Sequence, residues 1–326
     1  MAHFRTVVAT TAVIFASALT YPSVSQASSS VTVVAVGDIA YTAGGSQGKT
    51  AALTKALKPK AVILIGDIAY GASGRAATYS NFQKKFLPKW GSVLKKYPTY
   101  AVPGNHEYNS SGTTATGYAK LVAKYKLPKT GTDSWWVKNK GAWTIIGLDS
   151  EGLASSGSNC SGTLTDKGTR QIAFIQSALA SHDGRPTIVT WHRPRYSSGE
   201  HGDQTDKGVC ELWNTVKADT DVKVVLWGHD HNYERVSNKV VNLGQSNQNS
   251  LTTFVIGTGG APLRECPGVT ANTNSLICGK ETKVNPNYGV LKLTLKATSF
   301  SWSYRQVSKT KKTGKVRDSG TIQLAN

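Results

Sequence analysis

Long apolar runs are nearly missing from this chain. After residue 19 none approaches the roughly 20 residues that a bilayer-spanning helix needs, so no transmembrane anchor is expected. Cysteine is scarce: there are four, with no CxxC pair among them, which argues against a zinc module. No proline- or glycine-rich linker divides the chain and no internal repeat is found, so neither a string of small domains nor a repeat array is indicated. Acidic residues are few, 19 Asp+Glu against 38 Lys+Arg, for a formal net charge of +19. Such a field favours anionic substrates and raises their encounter rate at low salt. It is no nucleic-acid signature, because no basic helix or aromatic–basic motif accompanies it. Scattered lysines read more simply as solubilising, with electrostatic adsorption to anionic cell-wall polymers as their natural side effect. The one dense cluster, SKTKKTGKVR at 308–317, reads as a hairpin loop.

The first 27 residues read as a processing signal. Arg5 supplies a positive n-region, VVATTAVIFASAL (7–19) an apolar h-region, and Ser25-Gln26-Ala27 a small-x-small cleavage site. With no twin arginine, the general secretory route is expected. The expectation is therefore a signal peptide over 1–27 and a secreted chain over 28–326 forming a single domain. About 300 residues lie at the upper end for one core. In an exported chain four cysteines suggest two disulfides. Of the three connectivities, Cys266–Cys278 across a Gly/Pro/Asn-rich loop, leaving Cys160–Cys210, is favoured. No feature of the sequence selects an oligomeric state.

Apolar runs of strand length alternate with helix-period stretches through the first two-thirds. Strands are predicted at Val31–Val36, Ala61–Ile65, Thr99–Val102, Trp143–Leu148, Pro186–Thr190 and Val222–Trp227. Helices are predicted at Gln47–Leu57, Tyr79–Lys96, Ala115–Tyr125, Asp166–Ser181 and Lys207–Lys217. In the last third, Leu251–Ile256, Val290–Leu295 and Phe300–Gln306 read as antiparallel strands. The pattern is α/β with a β-rich tail, as for two sheets packed face to face with helices outside.

Four of the seven histidines fall in short motifs that follow such strands. The motifs are VVAVGDIA around Asp38, ILIGDIAYG around Asp67 and Tyr70, AVPGNHEY around Asn105 and His106, IVTWHRP around His192, and VVLWGHDHNYER around His229 and His231. Singly each is weak, since Gly-Asp after a strand is commonly a turn or cap. Two histidines at i and i+2 on an extended segment face the same side, which makes GHDH stronger. Donors after five of these strands would converge at one sheet edge, where α/β sheets gather ligands. Oxygen and nitrogen donors in these numbers compose a two-metal site of the kind that activates water for attack on phosphorus. Asp67 is the natural bridge, one carboxylate offering an oxygen to each ion. Asp38 and Tyr70 suit a hard trivalent ion, Asn105 and the histidines a divalent one. A phenol with a free pKa near 10 ligates as phenolate only to a strong Lewis acid, iron(III) above all.

The series GDxx, GDxxY, GNHE, VxxH and GHxH, from Val33 to Arg235, resembles the purple acid phosphatases within the calcineurin-like metallophosphoesterases. VIGTGGAP at 255–262 is similar to that family's downstream sheet, and Tyr70 is the specific element of the match. The resemblance implies a four-layer α/β/β/α sandwich of two mixed sheets flanked by helices. It also implies iron(III) on Asp38, Asp67, Tyr70 and His231, and divalent iron, zinc or manganese on Asp67, Asn105, His192 and His229. His106 then contacts the substrate phosphate, and His201, nine positions after His192, is a second substrate-contacting histidine. The implied reaction is hydrolysis of small phosphorylated substrates by attack of metal-bound hydroxide, most simply as a broad-specificity acid phosphatase on phosphomonoesters. A phosphodiesterase or phospholipase-type hydrolase on the same site is the alternative; a non-catalytic wall-binding protein is a remote third. Two departures stand out. Ala40 occupies a position where the first motif usually has glycine, and no accessory domain precedes the first motif.

Overall fold

A computed structural model describes residues 30–72, 76–109, 111–155, 157–236, 251–264 and 287–324. The expected signal peptide lies outside these residues, as do Cys266 and Cys278.

Two six-stranded mixed sheets face each other. The first holds β1 (Val31–Val36), β2 (Ala61–Ile65), β3 (Thr99–Val102), β10 (Gly289–Leu295), β11 (Ser299–Gln306) and β12 (Lys315–Gln323), in the order β12-β11-β10-β1-β2-β3. The second holds β4 (Trp136–Lys140), β5 (Trp143–Gly147), β6 (Thr187–Thr190), β7 (Val222–Trp227), β8 (Tyr233–Val236) and β9 (Thr252–Ile256), in the order β4-β5-β6-β7-β9-β8. Strands β1, β2 and β3 run parallel, as do β5, β6, β7 and β9.

Their sequences explain the layering. A strand covered on both faces reads as a continuous apolar run, and AVILI of β2 is buried throughout. Its alternate side chains serve different cores. Val62 and Leu64 face outward to a cluster with Phe82, Phe86, Trp90 and Leu121, which belong to helical segments. Ile63 and Ile65 face inward with Ile188, Leu226 and Phe254 of the opposite sheet. On the far side Val189, Val225 and Val255 pack against Ile175, Leu212 and Trp213. The outer layers are α1 (Gln47–Ala56), α2 (Tyr79–Asn81), α3 (Leu87–Lys96) and α4 (Thr116–Tyr125) on one side, α5 (Asp166–Ala180) and α6 (Lys207–Ala218) on the other. The architecture is the expected α/β/β/α sandwich.

Three expectations need correction. The helix predicted over Tyr79–Lys96 is broken: α2 leads into a π turn at Phe82–Phe86, and α3 begins only at Leu87. Pro88 has no N–H to donate and its ring crowds the carbonyl four residues back, so the chain widens there. The segment 251–256 is antiparallel only to β8; it pairs in parallel with β7 and extends the second sheet. Strands β4, β8 and β12 were not anticipated. Polar WVKNK and KVRDSGTIQ are sheet edges, where exposed Lys and Arg replace the apolar pattern.

A disulfide joins Cys160 to Cys210, with Cα atoms 5.6 Å apart, and so pins the loop before α5 to the first turn of α6. Among the described residues no helix is long and apolar enough to cross a membrane.

Candidate metal centre

The parallel strands β1, β2 and β3 of one sheet and β6 and β7 of the other deliver their C-terminal ends to a common edge, where the backbones interlock. Gly37 N–H donates to Ile256 O (2.9 Å), Asp38 N–H to Gly66 O (3.1 Å) and Gly228 N–H to His192 O (2.9 Å). Three candidate donors there occupy left-handed backbone: Asp38 (φ +57°), Asp67 (+45°) and His229 (+71°). Such conformations cost on the order of 1 kcal/mol each for non-glycine residues and persist where function aims a side chain.

Two groups of donors result. In the first, the Tyr70 hydroxyl lies 3.1 Å from Asp38 Oδ1 and 3.1 Å from His231 Nε2, and those two lie 3.4 Å apart. His231 Nδ1 is 2.7 Å from Pro262 O, so it carries a proton, and Nε2 of the neutral ring is left with its lone pair. A neutral ring leaves one phenolic proton for three electron-rich atoms; a second proton or a cation completes the triangle. Burial, then Asp38 and Asp67, raise the Tyr70 pKa well above its ordinary value. The phenol stays neutral unless a strong Lewis acid displaces its proton.

The second group is Asp67, His192 and His229, whose ligating atoms all lie within 4.8 Å of one another and are buried. His192 Nδ1 is held by Ile65 O at 2.9 Å. Its Nε2, 3.4 Å from Asp67 Oδ2, has no hydrogen-bond partner among the described residues. Burial opposes the charge on His192, yet Asp67 lifts its pKa to about 10. Burial likewise opposes ionisation of Asp67, but His192, with His106 and His229, holds it well below the carboxylate range. Positive charge belongs between these two side chains. Burial, reinforced by His192, keeps His229 neutral. The buried Asn105 Oδ1 is also unpartnered among the described residues. Leaving such an oxygen unsatisfied costs about 1–3 kcal/mol. An orphaned amide oxygen, an orphaned imidazole nitrogen and two oxygen-and-nitrogen clusters are what a pair of metal ions fits.

Two glycines show how closely the motifs are set. A Cβ on Gly104 would stand 2.3 Å from Asp67 Oδ1 and 2.7 Å from His192 Cδ2. Gly66, at φ +70°, would bring a Cβ to 2.5 Å from His192 Nδ1. Ala40 causes no such conflict. It sits on an extended bridge opposite Ala69, outside the left-handed region.

The structure brings His106 and His201 to the same place. The His106 ring lies 4.4 Å from that of Tyr70, with Nε2 3.9 Å from Asp67 Oδ2. His201 stacks on His229 at 4.2 Å. Burial depresses its pKa, and the Arg264 guanidinium 2.5 Å from Nε2 adds to that.

Sequence reasoning missed the residues that hold the donors. Glu107 Oε1 accepts from the Ile68 and Ala69 N–H groups (2.9 and 3.2 Å) and Oε2 from Gly104 N–H (2.7 Å), which ties the GD loop to the GNHE loop. Asp230 accepts from His201 N–H at 2.9 Å and from the Ser197 hydroxyl. Glu234 accepts from Ser198 N–H (2.8 Å) and Oγ (2.9 Å). The signal was in plain sight as the E of GNHE, the middle D of GHDH and the E of YER. Arg193, directly after His192, was also passed over. Both Glu151 oxygens accept from its Nε, and its Nη1 lies 3.3 Å from His229 Nε2.

The layers and the grouped oxygen and nitrogen donors are those of the metallophosphoesterase fold. The chain belongs to the calcineurin-like phosphoesterases, whose family model matches residues 31–233. Among curated proteins it is 28% identical over 213 residues to "Probable inactive purple acid phosphatase 9" of Arabidopsis thaliana, covering 57% of this chain and 32% of that one. It is 25% identical over 193 residues to Arabidopsis "Purple acid phosphatase 18", covering 56% and 41%. The solved purple acid phosphatase of yellow lupin (Lupinus luteus) seeds superposes with a TM-score of 0.69 at 24% identity, over 91% of this chain and 54% of that one. The aligned part thus spans about half or less of each relative's length.

Proposed function

We propose that this chain is a binuclear-metal acid phosphatase acting on small phosphomonoesters. Asp38, Asp67, Tyr70 and His231 would hold iron(III), and Asp67, Asn105, His192 and His229 a divalent iron, zinc or manganese ion. Two bound ions supply Lewis acidity toward the phosphoryl oxygens and lower the pKa of the attacking water. The protein's own residues do the rest. The carbonyls of Ile65 and Pro262 fix the tautomers of His192 and His231, leaving both Nε2 atoms free to ligate. His106, about a quarter exposed beside Asp67, is placed to protonate the leaving alkoxide. The observation that carries the reading is the pair of donor clusters, Asp38 with Tyr70 and His231 and Asp67 with His192 and His229, at the joined sheet edge. Intact donors at all seven positions speak against an inactive relative or a purely wall-binding role. The N-terminal signal, the Cys160–Cys210 disulfide and the basic surface support export of a single-domain enzyme that adsorbs to anionic wall polymers.

The test is hydrolysis of p-nitrophenyl phosphate beside bis-p-nitrophenyl phosphate across pH, with metal analysis of the same preparation. Two metals per chain, a monoester preference and an acidic optimum are expected. A diester preference would move the assignment to phosphodiesterase chemistry, and metal content near zero with no turnover would leave the binding role.

A further inference from the structure

One cation at the centre has no part in the ligand set, and its anchoring is elaborate. Both oxygens of Glu151 accept from Arg193 Nε, at 2.8 and 3.0 Å. Glu151 is itself held. Its N–H donates to Asp149 Oδ1 (3.0 Å), its Oε1 accepts from Ser150 Oγ (3.1 Å), and its carbonyl accepts from Lys167 Nζ (2.7 Å). Ser150 Oγ also accepts from Arg193 N–H at 3.1 Å. Asp149 in turn is paired with Lys167 at 2.9 Å. The Arg193 side chain is 27% exposed and that of Glu151 9%. Taking such a pair out of water seldom adds net stability, so a buried pair kept at a reactive centre calls for another reason.

The terminal nitrogens supply one. With the stem fixed through Nε, Nη1 projects to 3.3 Å from His229 Nε2 and to 3.3 Å from Gln204 Oε1. Nη2 has no hydrogen-bond partner among the described residues. A permanently charged, planar donor thus stands at the divalent-ion side of the centre with donor capacity left over. Arg264 reaches the same histidine stack through His201, but its carboxylate partner Glu200 lies 3.4 Å away and is 49% exposed, whereas Glu151 lies 2.8 Å from Arg193 and is itself enclosed, so Arg193 is the fixed cation.

The geometry points to Arg193 as a clamp for the third terminal oxygen of a phosphomonoester dianion, with Glu151 as its positioning residue. This rests on the phosphatase reading above and names its substrate class. A monoester carries three terminal oxygens and, once ionised, two charges; a diester carries two terminal oxygens and one charge, the third oxygen being esterified. A guanidinium committed to the third oxygen therefore favours monoesters and free phosphate, and gains little from diesters.

Three proteins decide it: wild type, Arg193→Gln and Glu151→Gln, each loaded with metal and assayed for metal content. The measurements are kcat/KM on p-nitrophenyl phosphate and on bis-p-nitrophenyl phosphate, and calorimetric affinity for inorganic phosphate. Arg193→Gln should lose ten- to hundredfold on the monoester, several-fold at most on the diester, and ten- to hundredfold in phosphate affinity, as expected for one charge-assisted contact. Glu151→Gln should move the same ratio in the same direction by less. Equal losses on both esters would make Arg193 a structural residue and overturn the clamp, as would an unchanged ratio. If wild type turns over neither ester, the phosphatase reading falls separately. Phosphate affinity then decides alone: weakening in Arg193→Gln upholds the clamp, and equal affinity rejects it.

Discussion

A single methyl group suffices to probe the centre. At Gly104 it would meet Asp67 Oδ1 at 2.3 Å and the backbone nitrogen of the same residue at 2.6 Å. Neither neighbour can yield cheaply, because Asp67 is buried and His106 N–H holds its Oδ1 at 2.9 Å. Overpacking of this kind costs about 1–3 kcal/mol and, here, misplaces the carboxylate grouped with His192 and His229, which the proposed function makes the bridge between two ions. Gly104→Ala should therefore lose at least tenfold in turnover and a large part of its bound metal, while Gly44→Ala, whose Cβ meets nothing within 4 Å on backbone outside the left-handed region, controls for the glycine change itself. Full metal content in Gly104→Ala would show that Asp67 is not constrained as described. At this scale the sequence was a good guide to the donors and a poor one to their supports. Donors announce themselves by residue type after an apolar run. Glu107 and Asp230 look like ordinary loop acids until the N–H groups they accept from are known, and all of those but Gly104 come from residues 29 to 39 positions away.

Elements carry a different lesson, and β8 is the example. Only four residues long and reading YERV, it has too little apolar pattern to be recognised from sequence, whereas β1, β2 and β7 are buried runs that declare themselves. Yet β8 contributes Glu234, whose carboxylate holds Ser198 and with it the loop that carries His201. Burial is the chief cause that raises the Glu234 pKa from 4.5 to about 7, against the opposing bonds from Ser198. Between those two values the folded chain keeps a proton that the unfolded chain has released. Stability from this group is therefore complete below about pH 4.5 and is lost as the pH rises to about 7, by up to about 3 kcal/mol. Thermal unfolding followed across that window should show a steeper decline in wild type than in Glu234→Gln. Parallel slopes would mean that Glu234 is ionised in the fold throughout. The helix over Tyr79–Lys96 was misjudged for a reason also at this scale: its apolar spacing is helical, but Pro88 forbids one continuous hydrogen-bond ladder.

For the molecule as a whole, the layered architecture was legible because both sheets are built largely from fully covered strands, and the polar edge strands were not. Net charge, by contrast, is exact from sequence, and +19 on a chain of 326 residues makes a testable demand on the enzyme. A field of that sign concentrates dianions near the surface and speeds their encounter with the centre. Screening should remove this: from about 0.01 M to about 0.1 M salt the Debye length falls from about 30 to about 10 Å. On p-nitrophenyl phosphate kcat/KM should accordingly fall several-fold over that range, and kcat should change little, because a bound substrate no longer needs steering. The monoanionic diester should lose less, as the attraction scales with substrate charge. Contacts inside the centre, Arg193 among them, are partly buried and should resist screening, so the decline should level off well above zero as salt increases. A kcat/KM indifferent to salt would show that the surplus lysines act on something other than the substrate, and a kcat that fell in step would place their effect on the folded centre itself.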